Sequence, residues 1–372
     1  MIWRAATGLA MPAMTRWFGV TQSETQRNRA AEAGLVEDIV QASLEMQADA
    51  AAKQHRGLCR GTHAKGVLAR ATFEVFDLAD GRDPALAARL ARGIFKSPGV
   101  YPALVRFGNS DPHVNSDFKP DVRSLSFSVE LADEGVDSLE FGVRRQDFSM
   151  QNATTLPIND ARAFRATTKV LTAPNPLAGL WPPAFADKLR VLRTLALAAI
   201  QEYQPVAPYQ KLRYWSNVPF AHGPGEYVKQ SLKPAPDNPA HTLVRSNPDA
   251  LQDELLRHVE NDSTMSRFDF QLQLLDAGSM TYWGKRQDTN FWLENASVEW
   301  SEREAPFHTV GRLTLLPKVR PLKSKLEAAY IDVTHHASAD STPVGSINRA
   351  RCPAETASRA ARASAGGPTY GS

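Results

Sequence analysis

The chain has 372 residues, 42% of them hydrophobic and 22% charged, with a net charge of +3. That length and composition allow one large core, and the charge is too mild and too evenly scattered to argue for nucleic acid. Two cysteines, Cys59 and Cys352, make no disulfide framework. No segment approaches the roughly 20 consecutive apolar residues of a transmembrane helix. The chain reads as soluble, with a cytoplasmic setting as the default.

In chain order, residues 1–27 hold Arg4 and Arg16 without a sustained apolar run and read as an irregular arm. Residues 29–53 carry Leu35, Ile39, Val40, Leu44 and Met46 at helical spacing, which predicts an amphipathic helix outside a core. Residues 67–78 alternate and read as a strand, and Pro84 opens a short helix running to Phe95. Further strands are expected at 101–107, at 124–131 and at 138–143. In the second of these, Leu125, Phe127, Val129 and Leu131 face opposite to Ser124, Ser126 and Ser128. A polar loop over 152–160 leads to a helix ending near Leu171, a Pro-rich connection spans 174–183, and a helix follows over 188–204.

The second half predicts strands at 212–220, 227–232, 268–275, 296–300 and 309–316, with a helix over 250–259. Alternating strands without a βαβ rhythm argue for an α+β fold, an antiparallel β-barrel with helices outside it. One domain over residues 28–362 is expected, with a small polar tail that frays over 363–372.

One segment carries chemistry: Arg60-Gly61-Thr62-His63-Ala64-Lys65-Gly66, running straight into the first strand. Val105-Arg106-Phe107, Asp121-Val122-Arg123 and a loop-like Asp147-Phe148-Ser149-Met150-Gln151-Asn152 follow in order. Later come Tyr214-Trp215-Ser216-Asn217-Val218-Pro219, Ala296-Ser297-Val298-Glu299-Trp300 and Gly345-Ser346-Ile347-Asn348-Arg349-Ala350-Arg351. In this order the elements resemble those of haem catalases, and the later ones are similar to the smaller catalase-related haem peroxidases. The resemblance covers roughly residues 58 to 351.

The resemblance implies haem b as cofactor and hydrogen peroxide or a lipid hydroperoxide as substrate. It casts His63 as the proton carrier and Asn152 as the amide that holds the peroxide. Those residue types suit the work: imidazole accepts and returns a proton near neutral pH, and an amide hydrogen-bonds without ionising. Arg60 and Arg106, with Arg123 a further candidate, are expected on the haem propionates, since planar guanidinium forks hold carboxylates bidentately. Gly108 stands where the family orients the histidine with a hydroxyl, which leaves Asn109 or Ser110 to substitute.

On the other side of the haem the family has Arg-x-x-x-Tyr, and here Arg351 is followed at that register by Glu355. Three readings stand: Glu355 ligates the iron with Arg351 holding its charge, Cys352 ligates it as a thiolate, or haem is bound weakly or lost. The functional expectation is a haem-dependent hydroperoxidase. Its alternatives are a haem enzyme that rearranges fatty-acid hydroperoxides and a non-catalytic scaffold. His335 and His336 complete no zinc pattern and read as surface residues.

Overall fold

The computed structural model describes residues 20–55, 57–58, 60–131, 145–171, 185–317 and 331–366. The predicted strand at 138–143, the connection at 174–183 and most of the tail lie outside the described residues. The described residues form eleven strands: β1 (Gly66–Val75), β2 (Gly99–Asn109), β3 (Arg123–Glu130), β4 (Arg145–Gln151), β5 (Tyr214–Trp215), β6 (Phe220–Ala221), β7 (Tyr227–Pro234), β8 (Arg267–Leu274), β9 (Thr281–Tyr282), β10 (Lys285–Arg286) and β11 (Phe307–Leu315). The main sheet runs β5-β4-β3-β2-β1-β11-β8-β7-β6, and β5 also pairs with β7. That pairing closes an antiparallel barrel of eight strands, with β6 appended to β7.

Closure depends on two residues. Trp215 pairs with Gln151 of β4 on one side and with Ser231 of β7 on the other. The predicted long strand at 212–220 is broken because Asn217 adopts a left-handed backbone conformation between β5 and β6. Residues 147–151, expected as loop, are strand β4, in register with β3 from Ser124↔Gln151 to Glu130↔Arg145. Residues 296–300 form no strand. Ala296, Val298 and Trp300 are all buried, but their backbone bonds go to loops: Ala296 N–H to Asn159 O at 2.9 Å and Val298 N–H to Asn295 O at 3.1 Å.

The barrel interior is a packed core. Phe73 of β1 meets Phe127, Phe148 and Phe270 at centroid distances of 5.5, 6.0 and 5.3 Å, and Phe127 stacks on Phe148 at 4.6 Å. All four rings are buried.

Eight helices surround the barrel among the described residues: α1 (Gln22–Ala30), α2 (Val36–Lys53), α3 (Pro84–Leu90), α4 (Ala161–Leu171), α5 (Phe185–Glu202), α6 (Ala250–Asn261), α7 (Thr289–Glu294) and α8 (Ser346–Ser364). Helix α1 begins within the stretch read as an irregular arm, with the Thr21 hydroxyl capping it on Glu24 N–H at 3.2 Å. The predicted helix over 29–53 is interrupted by a tight turn at Glu32–Leu35. Helix α8 packs on α2 and α4, and Leu35, Ile39, Ala161 and Ala350 form their small core. Arg349 fixes its start with bidentate bonds to Glu32 (2.7 and 2.8 Å) and to Glu294 (3.1 and 2.7 Å). No helix among the described residues is long and apolar enough to cross a membrane.

Truncating the ring at the centre of this core should be costly. Phe73→Ala is expected to lower unfolding stability by about 3–5 kcal/mol, read as a shifted urea midpoint with an unchanged far-ultraviolet circular dichroism spectrum.

Candidate active site

The strand face carrying Ser124, Ser126 and Ser128 does not face water. Ser124 and Ser128 are buried, on the outside of the barrel. One cross-strand row there runs Arg106 (β2), Ser126 (β3), Ser149 (β4). The Ser126 hydroxyl donates to Ser149 at 3.1 Å, and Arg351 Nη2 reaches down from α8 to Ser149 Oγ at 3.3 Å. A polar, covered outer wall is thus spanned by a guanidinium from the helix above it.

His63 stands at the rim of this wall, in a left-handed backbone conformation with φ of 57°. Such backbone is strained for a non-glycine residue and persists only where neighbours over-determine it. Here the His63 N–H donates to Ser110 O at 3.1 Å, the Ala64 N–H donates to Asp111 O at 3.3 Å, and Arg106 Nη2 donates to His63 O. The glycines beside Arg106 make that last contact possible. A Cβ at Gly108 would meet Arg106 Nη1 at 2.9 Å, and one at Gly66 would meet Nη2 at 2.8 Å. Gly108 stands where a hydroxyl was expected because a Cβ there would meet the Lys65 carbonyl at 2.7 Å as well as the Arg106 side chain.

The ring is oriented by backbone instead. His63 Nδ1 lies 3.0 Å from Asn109 O. A carbonyl only accepts, so Nδ1 carries the hydrogen and Nε2 keeps its lone pair. Asn109 is held in turn by its side chain, which donates to Asp117 at 3.2 Å and accepts from the Tyr209 hydroxyl at 3.1 Å. Lys65 Nζ sits on Asp117 and Asp249, both at 2.8 Å, and anchors the same loop.

The His63 pKa is pushed down from 6.5 to about 3. Burial is the largest cause, followed by the positive charges of Arg106 and Arg351; the Asn109 carbonyl opposes them, and Arg60 adds a smaller push downward. Arg60, His63, Arg106 and Arg351 are thereby brought together, and Glu355 joins them. Its Oε1 accepts from Arg351 Nε, and Arg60 also acts on its charge. The Glu355 carboxyl is held above its ordinary range by burial first, against the opposing pull of Arg351. Arg362, buried and three turns beyond Arg351 on the same helix face, is a guanidinium that motif reading passed over.

Two expected residues are engaged elsewhere. Asn152 extends the β3–β4 ladder: its Oδ1 accepts from Arg123 N–H at 2.7 Å and its Nδ2 donates to Gln204 at 3.3 Å. Arg123 is buried and pins the loop before β3, with Nη2 on Asp117 O at 2.6 Å and Nη1 3.8 Å from Asp121. Cys352 Sγ lies 4.0 Å from His335 Nε2. His336, expected at the surface, is buried instead, with Nδ1 2.8 Å from Asp147 Oδ2, because Asp147 of β4 gathers the 331–338 segment onto the sheet.

Three solved structures share this architecture: a fungal catalase, a bacterial catalase, and catalase A from Saccharomyces cerevisiae. Their TM-scores are 0.58, 0.57 and 0.53, with sequence identities of 16%, 14% and 17%. The matches cover 87%, 86% and 86% of this chain and 62%, 59% and 62% of those catalases, so the chain spans about three fifths of their length. No family model matches the sequence, and no curated protein matches it. The fold is catalase-like.

Two consequences follow from the state of His63. Replacing Arg106 with leucine removes the largest charge acting on the ring, so the His63 pKa in Arg106→Leu should rise from about 3, read by NMR of the imidazole C–H signals. The unfolded chain takes up this proton near 6.5 and the folded chain near 3, so the unfolded state binds more protons between those values. Stability should therefore be fully present above pH 6.5 and fall as pH drops toward 3, and His63→Ala should flatten that slope in urea unfolding measured across the window.

Proposed function

We propose that the protein binds haem b against the outer wall of the barrel and acts on hydroperoxides. The observation that carries this reading is His63 in its neutral Nδ1–H form, with Nε2 bearing a lone pair, beside the guanidinium groups of Arg60, Arg106 and Arg351.

The residues fit a dicarboxylate macrocycle. Positive groups outnumber Glu355 in the cluster, and planar guanidinium forks match carboxylates. Arg60 and Arg106 would hold the propionates. Glu355 would be the candidate to hold the iron: its Oε1 is taken by Arg351, while its Oε2 has no hydrogen bond among the described residues. Cys352 is turned to His335 and is the weaker choice. Haem, when bound, supplies the iron at which a peroxide O–O bond is split.

The chain's own part is proton handling. Nε2 of His63 takes the proton from one peroxide oxygen and returns it to the departing one, while the Nδ1–H bond to Asn109 O holds the tautomer and the ring direction. A pKa near 3 makes a weak base. Propionates neutralising the arginines would lift it toward its ordinary value, so loading the site also tunes its base. A carboxylate where the resembled family has a tyrosine would favour slower peroxidase action, or rearrangement of organic hydroperoxides, over rapid dismutation.

Adding haem to the cofactor-free protein should produce a Soret band. Arg60→Ala with Arg106→Ala should weaken binding by about tenfold or more. His63→Ala should keep the band and lower hydroperoxide turnover by about 10²–10⁴-fold. Glu355→Ala should move the band. No Soret band in the unaltered protein would overturn the proposal and leave the scaffold reading.

A further inference from the structure

A second polar site lies on the outer face of β7, and none of the groups around His63 takes part in it. Alternation sends Val228 and Leu232 of β7 into the core and turns Lys229 and Ser231 outward. Strand register sets Lys229 beside Gln273 of β8, Gln273 beside Phe307 of β11, and Ser231 beside Trp215 of β5. The chain from Ala296 to Ala305 roofs this face. Gln273 Nε2 holds the roof by donating to Trp300 O at 3.0 Å and to Ala305 O at 2.8 Å. Lys229 is shut beneath it, 4% exposed, with Nζ 5.1 Å from the centroid of the Trp300 ring.

A buried ammonium ordinarily has a carboxylate beside it. Here Nζ has one hydrogen bond, to Val298 O at 3.2 Å, and among the described residues no carboxylate pairs with it. Lys65 is the contrast: just as buried, it sits on Asp117 and Asp249 at 2.8 Å. Burial pushes the Lys229 pKa down from 10.5 to about 7, against the opposing pull of Glu299. Just above neutral pH the amine is therefore mostly uncharged and carries a lone pair.

The surroundings say what that amine can meet. A cavity of about 10 Å³ lies between Lys229, Trp215, Trp300 and Phe307, with exposed Glu299 and Glu302 at its edge. It admits a group of a few atoms and has no room for an organic substrate. Trp215 supplies an unused donor: its indole Nε1–H is buried with no acceptor among the described residues. Arg213 adds positive charge, its Cζ 4.9 Å from the ring centroids of both Trp215 and Phe307, while Glu302 accepts from one edge of it at 3.1 Å. A neutral nucleophile, a buried N–H and a guanidinium around so small a space suit a small electrophile that becomes an anion on reaction.

We propose that Lys229 is a carbamylation site that takes carbon dioxide. The Nζ lone pair attacks the carbon of CO2, an N–C bond forms, and one C=O electron pair moves onto oxygen. Nζ then gives up one proton to bulk water, which leaves a carbamate with a single negative charge. Nothing is oxidised or reduced. The carbamate would accept from Trp215 Nε1–H beside the charge of Arg213. Trp215 joins β4 to β7, so the new anion binds the residue that closes the barrel. The reaction needs neither haem nor peroxide.

The test uses the full-length protein in carbon-13 bicarbonate at pH 8, one unit above the Lys229 value. Carbamate is read by carbon NMR and located by ethylation with triethyloxonium ion, followed by peptide mass spectrometry. The charged groups facing the cavity are Glu299, Glu302 and Arg213. A carbamate carbon signal and an ethyl carbamate on the Lys229 peptide are expected. Both should vanish at pH 5, where the amine is protonated, and return at pH 8. Lys229→Met should abolish both. Trp215→Phe keeps a ring, removes the N–H and should lower occupancy about threefold to tenfold. Label on other amines alone, an unmodified Lys229 peptide, or undiminished occupancy in Trp215→Phe would each overturn the proposal. The wild-type peptide map decides even if a variant does not fold.

Discussion

The Arg106 guanidinium, folded back across its own strand pair onto the carbonyl of His63, is the contact on which the site depends. It passes close over Gly66 and Gly108, and it helps hold His63 in a backbone conformation that side chains avoid. The same positive charge adds to burial in keeping the ring neutral. Arg106 therefore helps set the position and protonation of the imidazole, while the Asn109 carbonyl sets its direction.

The barrel makes this possible by being full. Its interior is packed with aromatic rings, and alternation places the serines on the outer face. In most sheets the polar face meets water. Here α8 covers it, anchored through Arg349 to Glu32 and Glu294. The Gly345–Arg351 segment, noticed first by resemblance, earns part of its sequence from this anchoring: Ser346 Oγ accepts from Ala161 N–H at 2.8 Å, and Asn348 Nδ2 donates to Pro219 O at 3.1 Å.

Much of the barrel was legible because its strands alternate: β1, β2, β3, β8 and β11 lie where the pattern places them. Strand β4 was hidden because its outward residues, Asp147, Ser149 and Gln151, made it look like loop. Strand β5 has two residues, too few for any period, yet it closes the barrel. At the site, the family resemblance brought out Arg60, His63, Arg106, Arg351 and Glu355, and the fold gathers them. Spacing also singled out Asn152 and Arg123, which bond to backbone and neighbouring loops instead. A motif does not distinguish a residue that touches a ligand from one that holds the frame around it. His336 was read as a surface residue because Asp147 comes to it only through the packing of the 331–338 segment on β4.

The most direct measurement is the position of iron in crystals of the protein grown with haem, read from anomalous scattering at the iron edge. An iron peak between His63 Nε2 and α8, with propionates on Arg60 and Arg106, is the expected result. Haem seated elsewhere on the surface, with His63 still bound only to Asn109, would contradict it.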